Sequence, residues 1–254
     1  MANYVKQTGD GSTTLISEKF NQPYHSLSGA VAESRYVFFE TSGLAENLTA
    51  DSNLNILEIG FGSGMNLVIL MDYIKKSRAD INITFTTVEA YPIEPHLLSN
   101  MDFGDQLRYL EYHGLLQQIF STASPGWNSH QITPNINLNL FIGLFDELNY
   151  PEDEEFDYIM HDPFSPDSNP AGWSAELFKR IAKYSSDNAM LTTYSAATSA
   201  RAAMAVAGWN IARAPGALSK REMTVASLNP GKLSHLKRVN EKRLIERYKS
   251  GEFD

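Results

Sequence analysis

The sequence predicts an α/β protein built on a doubly wound, mainly parallel sheet of seven strands, and three observations predict it. Apolar runs rich in β-branched residues recur along the chain, helical patterns separate most of them, and the first run breaks into alternating glycines before a helix resumes. Residues 1–50 read as a lead-in, with a turn at Gly9-Asp10-Gly11-Ser12 and a helical run from Ala30 to Phe39. Residues 51–230 then hold the sheet domain. Its strands are expected at Leu54–Ile59, Ile83–Val88, Ile136–Ile142, Phe156–Met160, Ala189–Tyr194, Trp209–Ala212 and Met223–Leu228. Helices are expected at Asn66–Lys76, within Pro95–Phe120, at Ser174–Tyr184 behind a serine cap, and at Thr198–Ala207 before Gly208. Thr122–Pro134 reads as a loop. Residues 231–254 form a basic tail, in which Leu233–Tyr248 has the apolar spacing of a terminal amphipathic helix.

Composition narrows the chemistry. At 254 residues and 43% hydrophobic, the chain can bury one full core. No apolar run approaches the roughly 20 residues of a bilayer span, and Met1-Ala2-Asn3-Tyr4-Val5-Lys6 lacks the core of a signal peptide, so a cytoplasmic protein is expected. The absence of cysteine excludes disulfides, thiolate metal sites and a cysteine nucleophile, including methyl transfer to carbon through a cysteine adduct. The histidines show no metal spacing. Net charge is −9, yet residues 213–249 carry 10 basic and 3 acidic side chains against 11 and 25 in residues 1–212. That segment either meets phosphates or is a solvated helical face.

The glycine stretch Gly60-Phe61-Gly62-Ser63-Gly64 follows the first strand and opens a helix, the geometry of a nucleotide cradle. Its G-x-G-x-G spacing is neither the dinucleotide fingerprint nor the phosphate loop, which favours a phosphate-free guest such as adenosylmethionine. Glu89 ends the second strand, where a carboxylate can accept both hydroxyls of a ribose, and Tyr91 beside it suits adenine packing. After the strand from Ile136, Asp146 either accepts the adenine amino group or belongs to a solvated acidic loop with Glu147 and Glu152–Glu155. The strand from Phe156 ends in His161-Asp162-Pro163-Phe164-Ser165. Alternation turns His161 to the face opposite Asp162. A carboxylate, a proline-fixed carbonyl and an aromatic ring at a strand end suit an amine methylation site, with the carboxylate and carbonyl accepting from the nitrogen and the ring stacking on the base.

These residues together resemble the MnmC methyltransferase family, which makes 5-methylaminomethyl-2-thiouridine at the tRNA wobble position, including its stand-alone relatives. The resemblance runs from Tyr24-His25-Ser26 and Glu33-Ser34-Arg35-Tyr36-Val37-Phe38 through the Glu58–Asn66 stretch and Glu89-Ala90-Tyr91-Pro92. It continues in Asp162-Pro163-Phe164-Ser165-Pro166, Asn169-Pro170, Trp173, Thr193-Tyr194-Ser195-Ala196 and Lys220-Arg221-Glu222-Met223. It implies a Rossmann-like methyltransferase fold with adenosylmethionine held by Glu58, Gly60, Phe61, Gly62, Gly64, Asn66, Glu89, Ala90, Asp146 and Asp162. Asp162, Pro163 and Phe164 are the implied catalytic residues, and Tyr24, Glu33, Arg35, Tyr36, Trp173, Lys220 and Arg221 the implied contacts of the tRNA acceptor. No metal and no membrane partner are expected, and the chain ends before any flavin domain. Family members usually have glycine-aspartate where this chain has Gly143-Leu144, and alanine or glycine at Pro163. The alternatives are an aminopropyltransferase, a small-molecule N-methyltransferase, or a non-catalytic RNA-associated module that binds adenosylmethionine.

Overall fold

The computed structural model describes residues 3–48, 52–77, 80–150 and 155–253. Three short strands open the chain, β1 (Tyr4–Gln7), β2 (Thr13–Ser17) and β3 (Gln22–Pro23), paired antiparallel as a small separate sheet. The main sheet is built from β4 (Ser52–Ile59), β5 (Ile81–Glu89), β6 (Gly126–Thr133), β7 (Ile136–Ile142) and β8 (Phe156–His161). It continues with β9 (Ser185–Thr193), β10 (Asn210–Pro215), β11 (Glu222–Ser227) and β12 (Lys237–Arg238). Their order is β12-β10-β11-β9-β8-β4-β5-β7-β6. Strands β9, β8, β4, β5 and β7 are mutually parallel, and β11 and β6 run antiparallel to their neighbours.

The central strands form because they are buried on both faces, and Ile56 and Leu57 are both 0% exposed although they point to opposite sides. From β4 the chain winds outward through β5 and β7, then returns to the other side of β4 as β8. The order therefore reverses beside β4, and in doubly wound sheets that reversal opens a crevice at the carboxyl ends of the strands.

The helices are α1 (Ala30–Ser34), α2 (Leu44–Asn47), α3 (Met65–Lys76), α4 (Pro95–Leu98), α5 (Asp105–Arg108), α6 (Tyr112–Thr122), α7 (Ala175–Lys183), α8 (Thr198–Val206) and α9 (Glu241–Lys249). One apolar core joins α3 and α6 to one face of the sheet; a second joins α7, α8 and α9 to the other. Two caps match the chain's chemistry. Ser174 Oγ accepts from Leu177 N–H at the start of α7, and Asn240 Oδ1 accepts from Arg243 N–H at the start of α9.

Four local expectations are corrected. The stretch Thr122–Pro134 is no loop: it holds β6, an edge strand whose alternate residues are exposed, so Asn128, Ser129, His130 and Gln131 give no apolar alternation to read. With β6 and β12 the main sheet has nine strands rather than seven. The helical run from Ala30 changes at Arg35–Glu40 into a π-helical turn. The tail from Leu233 is no single helix, because Lys237–Arg238 adds to the sheet edge beside β10 before α9 begins. Of the acidic run Glu152–Glu155, residues 152–154 lie outside the described residues.

Candidate active site

The glycine stretch forms the turn from β4 into α3. Gly60 has φ +96°, and a Cβ there would stand 2.8 Å from the backbone oxygen of Asp162. Gly62 has φ +54°, with the Tyr24 ring 3.2 Å from where its Cβ would be. Only glycine lets this loop lie so close to both neighbours.

Beneath the loop is a buried carboxylate. Asn66 Nδ2 donates to Glu58 Oε1 at 2.8 Å and Thr87 Oγ1 donates to Oε2 at 2.7 Å, while Glu58 is 1% exposed. Burial pushes its carboxyl up to about 8, against those two donors and with a further push from Glu89. Glu58 and Asn66 thus brace the loop from below rather than line a cavity. Phe61 turns inward and stacks on Phe120, and Gly64 is backed by Leu116.

Above the loop lies a cavity of about 510 Å³ at the carboxyl ends of β4, β5, β7 and β8, where Gly60, Gly62, Glu89, Ala90, Asp146 and Asp162 converge. Glu89 Oε2 accepts from Gly62 N–H at 2.8 Å and Oε1 from Tyr91 N–H at 2.7 Å. Burial raises its pKa, opposed by those backbone donors. Asp146 is exposed at the rim beside Leu144.

A second cavity of about 250 Å³ adjoins the first and contains Glu33, Ser34, Phe38, Tyr194 and Lys220. Asp162, Pro163, Phe164, Tyr24 and His25 line both. The turn that forms this common wall is locked through its backbone. Asp162 N–H donates to the Ile59 carbonyl at 3.0 Å, Tyr194 O–H to the Pro163 carbonyl at 2.8 Å, and Trp173 Nε1–H to the Phe164 carbonyl at 2.8 Å. The Pro163 carbonyl, expected to hold an amine, is therefore already engaged by Tyr194.

No described residue donates a hydrogen bond to the Asp162 carboxylate. Burial first, then the charges of Glu58 and Glu33, hold its pKa well above the usual carboxylate range, with Lys220 pulling the other way. Lys220 Nζ is 2.6 Å from Glu33 Oε1 and 4.8 Å from the centre of the Tyr194 ring.

The remaining expected residues fall elsewhere. Trp173 lies behind the turn and acts through Phe164. Arg35 is held 2.6 Å from Asp72, and Tyr36 donates to the Pro215 carbonyl at 3.1 Å; both line a separate depression with Asp10 and Arg108. They are not brought to either cavity, since residues two apart from Glu33 or Ser34 on a helix leave it in different directions. Arg221 is exposed and lines neither cavity.

Residues with no expected role also converge here. Phe20 stacks on Phe164 with ring centres 4.3 Å apart. Gln22 Nε2 donates to Ser165 Oγ at 2.8 Å, and His25 Nε2 is 2.9 Å from Ser63 Oγ. The Tyr24-His25-Ser26 stretch was their one visible signal. Among the described residues no group of three or more His, Asp or Glu is placed to hold a metal, and no helix is long and apolar enough to cross a membrane.

A reversal crevice floored by a glycine loop, with a strand-end glutamate facing it, is the site of an S-adenosyl-L-methionine-dependent methyltransferase. The family model of that description matches residues 109–229. Within the class it is a relative of MnmC. It is 30% identical over 242 residues to the tRNA 5-methylaminomethyl-2-thiouridine biosynthesis bifunctional protein MnmC of Hydrogenovibrio crunogenus, covering 92% of this chain and 35% of the relative. To the protein of the same name from Aromatoleum aromaticum it is 31% identical over 224 residues, covering 85% and 34%. The chain thus spans about a third of the length of these curated relatives. The crystal structure of MNMC2 from Aquifex aeolicus superposes with a TM-score of 0.77 at 24% identity, covering 97% of this chain and 75% of that one, which establishes the Rossmann-like methyltransferase fold. These matches favour methyl transfer over the aminopropyltransferase and adaptor alternatives.

The cradle fits adenosylmethionine on its own chemistry. The loop leaves no room for a Cβ at Gly60 and little at Gly62, and the Glu89 oxygens that lock it keep further lone pairs for a diol.

Proposed function

We propose that the chain methylates the aminomethyl nitrogen of 5-aminomethyl-2-thiouridine at the tRNA wobble position, acting in the cytoplasm. The observation that carries the reading is the Asp162-Pro163-Phe164 turn standing as a common wall between a donor cavity and a second, carboxylate-lined one.

Adenosylmethionine, when bound, supplies a sulfonium-activated methyl group. Gly60, Gly62, Glu89 and Ala90 are the residues to hold it, with Glu89 on the ribose and Asp146 at the adenine end. In the second cavity Glu33 and Asp162 draw in an amine that is cationic in water. The nitrogen has to be neutral to attack. Asp162, whose pKa is raised by burial and by the charges of Glu58 and Glu33, orients the nitrogen and takes its proton. Anchoring falls to this carboxylate because Tyr194 already occupies the Pro163 carbonyl. Phe164, Tyr24 and Tyr194 supply aromatic faces for the base, and Lys220 balances Glu33. Most of the acceleration comes from alignment, a contribution that reaches roughly 7–11 kcal/mol in favourable systems.

Phosphate contacts fall to the basic segment. Arg213, Arg238 and Arg247 are paired with Glu222, Glu241 and Glu252. Arg221, Lys232, Lys237, Lys242 and Lys249 are exposed with no ion-pair partner among the described residues, leaving them for a polyanion.

The test is mass spectrometry of nucleosides from undermodified tRNA incubated with the protein and adenosylmethionine. The expected product is the methylaminomethyl nucleoside; its absence under conditions where the donor binds refutes the acceptor.

A further inference from the structure

We propose that His25 is a positioning residue for the methyl donor, its imidazole tying the N-terminal sheet to the tip of the glycine loop through Ser63. The proposal rests on the donor reading above and adds to it a residue that the donor need not touch.

A loop with glycine at every second position has more backbone freedom than one with side chains there, and a fixed donor shelf requires that freedom to be removed. From below, Glu58 and Asn66 brace the loop's flanks. At its tip, Ser63 is 0% exposed and its hydroxyl has the His25 ring nitrogen at 2.9 Å. The anchoring is through the backbone: the His25 main-chain N–H donates to Thr14 Oγ1 at 2.9 Å, and the Tyr24 main-chain N–H donates to the Leu15 carbonyl at 2.9 Å, which fixes the segment carrying the ring to β2. Consecutive loop residues are therefore gripped by consecutive strap residues, Gly62 beneath the Tyr24 ring and Ser63 by His25.

His25 also lines both cavities, so its position sets the junction between them. Burial lowers its pKa to about 4, and it stands as a neutral ring at physiological pH. A neutral tether adds no cation near Glu89, Asp162 and Glu33, whose charges stay available to a cationic donor and a cationic amine.

The experiment is calorimetric titration of the full chain with adenosylmethionine alone, for wild type, His25→Phe, Ser63→Ala, the double variant and His25→Gln, with a thermal melt of each. His25→Phe keeps ring volume but loses the bond to Ser63; the glutamine amide reaches the place of Nε2 and restores it. Each single loss is expected to weaken donor binding by roughly threefold to tenfold, the usual worth of one hydrogen bond. The double variant should bind no more weakly than either single one, because both remove the same contact. His25→Gln should recover most of the affinity. Wild-type affinity in His25→Phe, additive losses in the double variant, or failure of glutamine to rescue would each overturn the proposal. The readout needs no acceptor, so a tRNA assay that fails with this pattern intact counts against the acceptor alone.

Discussion

Replacing Asp162 with asparagine removes a charge while keeping the side chain's size, and its effects on stability and turnover should have opposite signs. The carboxylate receives no hydrogen bond from a described residue, and Glu58 and Glu33 face it with only Lys220 in opposition. Burial and those two neighbours raise its pKa above the ordinary value of about 3.9. Between the ordinary value and the raised one, the folded chain holds a proton that the unfolded chain releases. That contribution to stability is fully present below about pH 4 and is lost as pH rises through the folded value. Asparagine is neutral throughout, so at neutral pH the variant should gain on the order of 1 kcal/mol, typical of relieving a strained functional site. For a chain of this size that is roughly 2–4 °C in melting temperature. The gain should vanish in acid, where wild-type Asp162 is protonated in both states. Turnover should fall by about a hundredfold to ten-thousandfold, the range for loss of a general base. Thermal melts near neutrality and in acid, beside single-turnover methylation, measure both effects. A variant that is less stable at neutral pH, or equally stabilised in acid, or turns over at the wild-type rate, refutes the reasoning.

Further outcomes follow from the same geometry. Glu89→Gln turns an amide N–H toward the Gly62 or Tyr91 N–H, leaving one donor unpaired; a cost of about 1–3 kcal/mol should weaken donor binding by roughly 5- to 150-fold, and unchanged affinity in calorimetry would count against Glu89. Gly60→Ala places a methyl 2.8 Å from the Asp162 carbonyl oxygen at φ +96°, so the catalytic turn has to shift; single-turnover rates should drop by about tenfold or more, and a wild-type rate would show the turn to be more compliant than its three hydrogen bonds suggest. Charge reversal at Lys232 and Lys237 should weaken tRNA binding and lower its salt dependence by roughly one unit of slope per lost phosphate contact, measured by titration across salt concentrations; an unchanged slope excludes that edge from the interface.

The parallel core was legible because strands buried on both faces carry their signal in every residue, and β7 falls at Ile136–Ile142 as expected. Strand β6 was not, since an edge strand exposed at alternate positions has polar residues where apolar ones would reveal it. Glu89 and Asp162 could be read as strand-end carboxylates, and both face the first cavity. What the Asp162 turn does with its carbonyls could not, because Tyr194 lies 31 positions away and only the fold brings it to Pro163. Likewise Phe20, Gln22 and His25 gave no periodic pattern. They sit in and beside the short amino-terminal sheet, and their partners, Phe164, Ser165 and Ser63, belong to distant loops. Arg35 and Tyr36 sit in a stretch that carries the resemblance, yet the chain there turns π-helical, and they leave it toward other partners.

The common wall has a temporal consequence. The two cavities it separates draw on residues 20–25, 60–62, 162–165 and 220, in the order in which a ribosome releases them. A growing chain acquires the donor shelf and the catalytic carboxylate well before Lys220 closes the second chamber. A proteolytic cut that freed residues 1–50 would open both chambers at once, making donor affinity a sensitive report of whether the amino-terminal sheet is still docked.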